Sequence, residues 1–123
     1  MSDETRTLVE AAVEAASDKL AEDPVLVDVS ARLAIAQYFL ILSAPTERQV
    51  RAIAEEITDR IAHELHIEPA HIEGRSGARW ILIDYTDCVV HVMVDEDRRF
   101  YALEKLWADG TITHVGAQAG VGA

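Results

Sequence analysis

The chain has 123 residues, of which 50% are apolar and 27% are charged, and its 22 acidic and 11 basic side chains give a net charge of −11 at pH 7. A chain of this length can bury the core of one domain without a metal or disulfide cross-link, and its single cysteine excludes an intramolecular disulfide. The negative charge, without a concentrated basic patch, disfavours autonomous binding to nucleic acid or to an anionic membrane and favours a basic protein as partner.

The first part of the chain predicts a helix, two strands and a second helix. An apolar stripe at helical spacing ends before Pro24, and strands are predicted over 25–29 and 33–44. Thr46 and Gln49 have the spacing of a capping box, which predicts that the second helix begins there. The two helical stripes consist of Leu8, Val9, Ala12, Val13, Ala16 and Leu20, and of Val50, Ile53, Ala54, Ile57, Ile61 and Leu65.

The middle of the chain predicts three further strands. Segment 67–73 is a weak strand that Pro69 confines to a sheet edge or a strand start. Segments 79–84 and 88–94 are apolar on both faces, and the short link between them predicts a hairpin.

The last part of the chain predicts a short third helix and a tail. The acids at 95–97 offer an N-cap, and the helix is expected to end near Asp109. Four of the six glycines lie in 110–123, so we expect a flexible tail there. The inward side of the third helix is predicted to consist of Phe100, Leu103 and Leu106.

Together these elements predict an α+β fold of two layers, in which helices pack on a mixed sheet of about five strands. We expect a single domain over 1–109, followed by the flexible glycine-rich tail 110–123, because no repeat or long linker divides the chain. The first residues lack a secretory signal, and the longest apolar stretch, 33–42, is shorter than the ~20 residues that span a bilayer. A cytoplasmic protein without a membrane partner is therefore expected.

One group of side chains has the composition of a catalytic or metal site. Asp84, Asp87 and His91 lie around the predicted hairpin, where they could bind a divalent cation or activate a water molecule. The competing interpretation is structural and is favoured here: the aspartates shape the turn through local hydrogen bonds, and the histidine packs with a satisfied ring. No glycine-rich phosphate loop is present.

The remaining reactive residue types predict no site. Cys88 begins an apolar strand, where a thiol usually packs as a small hydrophobic group. His63 and His66 lie near the end of the second helix, where an imidazole suits the helix dipole. His71 and His114 have no partner at metal-ligand spacing, so no zinc site or other cofactor is predicted.

Aromatic residues are concentrated around the hairpin and the third helix. Trp80, Tyr85, Tyr101 and Trp107 all lie between residues 80 and 107. Tyr101, Glu104, Lys105 and Trp107 can share a helix face that is separate from the inward stripe. Large rings beside a cation are typical of interface hot spots, but core packing is an equally good interpretation of Tyr101 and Trp107 and a slightly better one of Trp80.

Several segments resemble one protein family in the same order, from about residue 5 to residue 109. The longest are Trp80-Ile-Leu-Ile-Asp-Tyr-Thr-Asp-Cys-Val-Val-His91 and Arg99-Phe-Tyr-Ala-Leu-Glu-Lys-Leu-Trp107, and shorter ones are 28–30, 38–41, 47–50, 53–54 and 73–74. They are similar to the ribosomal silencing factors, also called Iojap-like proteins. The resemblance implies a nucleotidyltransferase-like fold without transferase activity, a homodimer in many members, and binding to large-subunit ribosomal protein fourteen on the 50S subunit. That binding blocks 30S–50S joining and represses translation during nutrient limitation.

The chain departs from the family pattern at three places. Gln37 replaces an aspartate, and the segment 43–46 lacks the glycine that the family has before the second helix. Thr86 replaces the glycine of the family's turn, a position where glycine tolerates a positive φ and threonine does so poorly. Loss of the glycine before the second helix also removes the last trace of a nucleotide-binding loop.

We therefore predict a ribosomal silencing factor that acts by occupying space and has no catalytic, metal or cofactor residues. The predicted partner-binding residues are Trp80, Tyr85, Tyr101, Lys105, Leu106 and Trp107. The alternative is a metal-dependent nucleotidyltransferase or hydrolase that uses Asp84, Asp87 and His91. A third possibility is a structural homodimerisation module.

Overall fold

A computed structural model of the chain describes residues 1–30, 36–106 and 112–115, with the backbone alone at residue 106. Its elements in chain order are α1 (Asp3–Asp18), β1 (Glu22–Asp28), β2 (Tyr38–Ala44), α2 (Glu47–Leu65), β3 (His71–Glu73), β4 (Trp80–Asp84), β5 (Cys88–Val94), α3 (Asp95–Tyr101), α4 (Leu103–Leu106) and β6 (Ile112–His114). The predicted α+β class with a mixed sheet is confirmed.

The six strands form one sheet with the order β3-β4-β5-β2-β1-β6. Among these strands β2 and β5 run parallel, and the other neighbours are antiparallel. The predicted number of about five strands is therefore too low by one. The strand that was not predicted, β6, lies within the predicted tail and pairs with 25–27 of β1. Its three side chains are exposed, so it carries no apolar alternation that would identify it.

Helix α1 lies in the part of the chain where it is predicted, but it ends earlier than expected. The side chain of Ser2 accepts a hydrogen bond from the Thr5 amide and caps the helix. After Asp18 the chain leaves the helix through Leu20, which has a φ of 63° and is 74% exposed. Pro24 lies inside β1, so it does not end the helix, and the prediction that Leu20 belongs to the apolar stripe is wrong.

Helix α2 confirms its predicted start and its apolar stripe. The Thr46 hydroxyl accepts a hydrogen bond from the Gln49 amide at 3.2 Å. The Gln49 side chain contacts the same hydroxyl at 3.2 Å rather than reaching the Thr46 amide. The buried stripe consists of Val50, Ile53, Ala54, Ile57 and Ile61, with Leu65 partly buried beside it.

The two faces of the sheet carry two separate hydrophobic clusters. Alternate strand residues such as Leu40, Ile81 and Val90 face α1 and α2 and form the main core. Their neighbours point the other way, to what we call the second face, which contains Val25, Val27, Val29, Phe39, Ile41 and Met93. Leu103 packs on this cluster from α4, and Trp80 packs partly buried against it.

The strands predicted from 67 to 94 are confirmed, with shifted ends. The weak segment forms the edge strand β3, which begins after Pro69. β4 and β5 form the predicted antiparallel hairpin. Of the predicted strand 33–44, residues 38–44 form β2, and 31–35 lie outside the described residues.

The third helix differs from its prediction. Asp95 is its first residue, and Val94 occupies the N-cap without a side-chain hydrogen bond, so the predicted acidic N-cap is wrong. Ala102 adopts a left-handed conformation with a φ of 47° and separates α3 from α4. Because of this break, Phe100 does not share an inward stripe with Leu103: Phe100 is 79% exposed, whereas Leu103 is buried.

Candidate functional site

Three aromatic rings meet at the second face and its adjoining helix α3. The Trp80 and Tyr101 ring centroids are 5.2 Å apart, and the Tyr101 and Phe100 rings pack edge to face at 4.9 Å. Phe100 is largely exposed and Tyr101 is half exposed, whereas Trp80 is partly buried. We call Trp80, Phe100 and Tyr101 the aromatic surface.

Strand alternation and the start of α3 place these rings together. Ile81 and Ile83 enter the main core, so Trp80 points to the second face. Helix α3 follows β5 directly and has no buried residue of its own. Its position on the sheet therefore depends on polar contacts rather than on an apolar stripe.

Arg79 holds the first turn of α3. Its guanidinium forms a bidentate pair with Asp97, with Nε–Oδ2 at 3.2 Å and Nη2–Oδ1 at 2.6 Å. Glu96 and Glu47 are also within ion-pair distance of the same group. The hydrogen bonds that Arg79 donates to Asp97, and the negative charge of that carboxylate, raise the pKa of Arg79. This link joins the strand that carries Trp80 to the helix that carries Tyr101.

Arg98 holds α3 from its other side. Its Nε donates to Glu104 of α4 at 2.6 Å, and its Nη1 donates to the Ser43 hydroxyl at 3.1 Å. The same guanidinium donates to the backbone carbonyl groups of Glu22 and Asp23. The Arg98 side chain is 12% exposed, so one largely buried cation joins α3, α4, β1 and β2.

A buried histidine of β5, His91, contacts the Trp80 ring of the aromatic surface. The Trp80 indole Nε1 donates a hydrogen bond to His91 Nδ1 at 3.0 Å. The Phe39 ring packs against the same imidazole at a centroid distance of 4.5 Å. Burial lowers the pKa of His91 to about 4, so its ring is neutral at pH 7.

A cleft of about 690 Å³ opens beside α3 and is lined by both acids and bases. Glu22 and Asp95 contribute carboxyl groups, and Arg98 and Lys105 contribute cations. Burial, together with the charge of Asp95, raises the pKa of Glu22. The cleft therefore contains both acidic and basic side chains, and it lies at the edge of the sheet where β6 pairs with β1.

The structure brings together some of the predicted partner-binding residues but not all of them. Trp80 and Tyr101 are in contact, and Lys105 is exposed on α4. Tyr85 is 8% exposed and belongs to the main core, on the opposite side of the sheet. At Leu106 the backbone alone is described, and Trp107 lies outside the described residues.

Phe100 is the residue of this surface that the sequence pattern missed. The helical spacing from Phe100 to Leu103 predicts an inward position for its ring. A contrary indication was present, however, since the residues three and four positions before it are Asp97 and Glu96. A ring without apolar neighbours on the preceding turn does not continue an apolar stripe along its helix.

The side chains of the alternative catalytic or metal site, Asp84, Asp87 and His91, do not come together at one point. Asp84 Oδ1 accepts a hydrogen bond from the Thr86 amide at 2.7 Å, which confirms its predicted role in the turn. Asp87 is exposed in the turn, and the His91 Nδ1 accepts a hydrogen bond from Trp80. The prediction of a fully satisfied histidine ring is wrong, because the buried His91 Nε2 has no hydrogen-bond partner among the described residues. Within 1–30, 36–106 and 112–115 no three His, Cys, Asp or Glu side chains are grouped so that they could hold a metal ion.

Cys88 confirms its predicted place in the core. It is 1% exposed, and burial raises its pKa to about 12, so the thiol is protonated at neutral pH.

In the part of the chain that the structure covers, no helix has the length and apolar character needed to cross a bilayer.

Comparison with known proteins gives consistent matches over most of the chain. A family model described as "Ribosomal silencing factor during starvation" matches residues 2–120. A ribosomal silencing factor from Halalkalibacterium halodurans is 45% identical over 102 residues, which cover 83% of this chain and 86% of that protein. A crystal structure from Bacillus halodurans is similar with a TM-score of 0.75 and 39% identity, and the match covers 89% of this chain and 99% of that one.

A mouse protein named mitochondrial assembly of ribosomal large subunit protein 1 is more distantly similar. It is 30% identical over 89 residues, which cover 71% of this chain and 39% of that protein. The similarity thus extends to a longer protein whose name refers to the large ribosomal subunit.

Proposed function

The chain belongs to the ribosomal silencing factor family, and from this premise we propose that it binds large-subunit ribosomal protein fourteen on the 50S subunit. In that position it blocks 30S–50S joining and represses translation during nutrient limitation. The family description, which refers to starvation, supports the condition, and the name of the mouse relative supports a partner on the large subunit.

The aromatic surface is the observation that carries this proposal. Interface hot spots are enriched in Trp and Tyr, and Phe100 exposes 79% of its surface in the free chain. Arg79 and Arg98 fix α3 on the sheet, so the rings are ordered before binding. An ordered surface loses less conformational entropy when a partner binds, which favours affinity.

Charge and shape supply the rest of the mechanism. A net charge of −11 accelerates encounter with a basic ribosomal protein and opposes direct contact with RNA. We propose no catalytic step, because a folded domain at the subunit interface excludes the other subunit by its volume. Trp80, Phe100, Tyr101 and Lys105 are the contact residues of this proposal among the described side chains. Leu106 and Trp107 are proposed as their continuation along the chain, and Tyr85 as a support from the core.

We further propose that the free protein is a cytoplasmic homodimer. Exposed rings on a small domain favour association with a second copy until the ribosomal partner is available. Neither autonomous nucleic-acid binding nor a membrane partner is part of this proposal.

The test is a subunit-joining experiment with purified ribosomal subunits. The full chain is incubated with 50S subunits before 30S subunits are added, and the 70S fraction is measured by sucrose-gradient sedimentation. We expect the chain to sediment with 50S subunits and to lower the 70S fraction as its concentration rises. Unchanged 70S formation at a saturating concentration of the chain would contradict the proposal.

A second measurement separates silencing from the enzymatic alternative. Nucleotide turnover is measured with Mg²⁺ and with Mn²⁺ for the unsubstituted chain and for Asp84→Asn. We expect no turnover in either protein. We also expect association with isolated large-subunit ribosomal protein fourteen to become slower as ionic strength increases. Turnover that Asp84→Asn abolishes would support the hydrolase or transferase interpretation instead.

A further inference from the structure

The Trp80 indole is held between one residue of the sheet and one residue of α3. Its Nε1 donates to His91 Nδ1 at 3.0 Å, and the Tyr101 ring lies at a centroid distance of 5.2 Å. Trp80 is directly opposite Met93, and His91 is directly opposite Leu82. Trp80 and His91 are therefore diagonal neighbours across the β4–β5 pair, a separation that a tryptophan side chain can bridge.

The hydrogen bond fixes where the imidazole proton lies. Because Nδ1 of the neutral His91 ring accepts from Trp80, the proton is on Nε2. That Nε2 is buried, and the described residues offer it no hydrogen-bond partner. His91 as a whole is 4% exposed, so its second nitrogen also has little access to solvent.

Packing alone does not account for a histidine at this position. A buried donor without a partner opposes stability, and such groups are rare in folded proteins. A phenylalanine would fill the same space beside Phe39 without an N–H group that the described residues leave unpaired. The hydrogen bond to Trp80 is the feature that histidine adds.

We infer that His91 is a positioning residue, which fixes the Trp80 indole in the orientation that the aromatic surface uses to bind its partner. This inference rests on the proposed function and deepens it. Without an acceptor at residue 91 the indole N–H must either stay unpaired or turn towards solvent, away from Tyr101. The Trp80 ring would then adopt several orientations. The entropy lost when binding orders it would weaken the complex.

The first readout is the indole N–H resonance of Trp80 in an ¹⁵N-labelled full chain. The chain has two tryptophans, so the Trp80 signal is identified as the one that Trp80→Phe removes. We expect His91→Phe to shift this signal and to accelerate its exchange with solvent. His91→Asn, whose Oδ1 replaces the Nδ1 acceptor, should preserve slow exchange. An unchanged Trp80 signal in His91→Phe would overturn the inference.

The second readout is affinity for isolated large-subunit ribosomal protein fourteen. We expect His91→Phe to weaken binding about tenfold, whereas His91→Asn should recover most of the loss. Equal affinity of His91→Phe and the unsubstituted chain would overturn the inference and leave the proposed function intact. Absence of binding by the unsubstituted chain would contradict the proposed function itself and, with it, this inference.

A matched pair of amides keeps the test valid if His91→Phe does not fold. His91→Asn and His91→Gln carry the same acceptor group, but glutamine places it near the position of Nε2 instead of Nδ1. We expect His91→Gln to bind more weakly than His91→Asn at similar thermal stability. Equal affinities of the two amide variants would overturn the inference.

Discussion

Arg98 and Glu104 form an ion pair of 2.6 Å across the break between α3 and α4 at Ala102. Their side chains are 12% and 20% exposed, so the pair is largely removed from water. The same guanidinium also donates to Ser43 of β2. We infer that Arg98, together with Arg79, replaces the apolar stripe that α3 lacks and sets the position of Phe100 and Tyr101.

Replacing Arg98 should therefore destabilise the fold. We expect Arg98→Gln to lower the free energy of unfolding by about 3 kcal/mol, because Glu104 would keep a poorly solvated charge without its partner. Urea denaturation followed by circular dichroism measures the change. Arg99→Gln is the matched control, since its side chain is exposed, and it should stay within about 0.5 kcal/mol of the unsubstituted chain. Similar losses in the two variants would contradict this role.

His91 should make stability depend on pH in a defined window. Its pKa is about 4 in the folded chain, compared with an ordinary value of 6.5. Below pH 6.5 the unfolded chain takes up this proton and the folded chain does not, so stability falls as the pH decreases from 6.5 towards 4. The full contribution, about 3 kcal/mol, is present above pH 6.5.

The measurement is the difference in unfolding free energy between pH 7 and pH 4.5 for the unsubstituted chain and for His91→Phe. The variant should lose less stability over this interval, because it has no buried imidazole to protonate. His63→Gln, at an exposed histidine in the last turn of α2, should keep the pH dependence of the unsubstituted chain. An equal pH dependence in His91→Phe would exclude His91 as its source.

Thr86 carries backbone strain in the turn between β4 and β5. Its φ is 76°, a conformation that is unfavourable for a β-branched residue, and its amide donates to Asp84. We expect Thr86→Gly to raise the free energy of unfolding by about 1 kcal/mol, since relief of strain exceeds the greater entropy of the unfolded glycine. Thr86→Ala keeps a Cβ atom and should give a smaller gain. A loss of stability in Thr86→Gly, measured by urea denaturation, would contradict this assignment of strain.

Local sequence patterns predicted the elements whose determinants are close together in the chain. Helix α2 follows from the capping contact of Thr46 with Gln49 and from a regular apolar stripe. The hairpin follows from two apolar segments and a short link. Strand β6 could not be predicted in this way, because its pairing partner 25–27 is far away in sequence and its own side chains are exposed.

The geometry of the site depended on contacts that sequence spacing does not encode. Trp80 and Tyr101 were predicted as partner-binding residues, but their contact depends on the bonds that hold α3 to the sheet. The exposure of Phe100 depends on the left-handed conformation of Ala102. Glycine adopts this conformation readily and alanine does not, so an alanine in the sequence does not indicate it. Long-range hydrogen bonds of Arg98 stabilise this arrangement, and no local periodicity reveals them.

Truncation of the exposed rings should weaken binding to isolated large-subunit ribosomal protein fourteen. We expect Tyr101→Ala to cost about 2 kcal/mol or more, because it removes a half-exposed ring and also the contact that supports Trp80. Phe100→Ala should cost about 1 kcal/mol or more through loss of an exposed apolar ring. Isothermal titration calorimetry with the full chain provides both values.

The control for these variants is Leu20→Ala, which removes an apolar side chain of similar exposure at the end of α1, outside the aromatic surface. It should leave the affinity for protein fourteen unchanged, because Leu20 is not part of the second face. All three substitutions are at exposed positions, so the unfolding midpoint of each variant should stay close to that of the unsubstituted chain. If Tyr101→Ala and Phe100→Ala bind as tightly as Leu20→Ala, the partner binds elsewhere on the molecule. Subunit joining would then have to be blocked from a different surface.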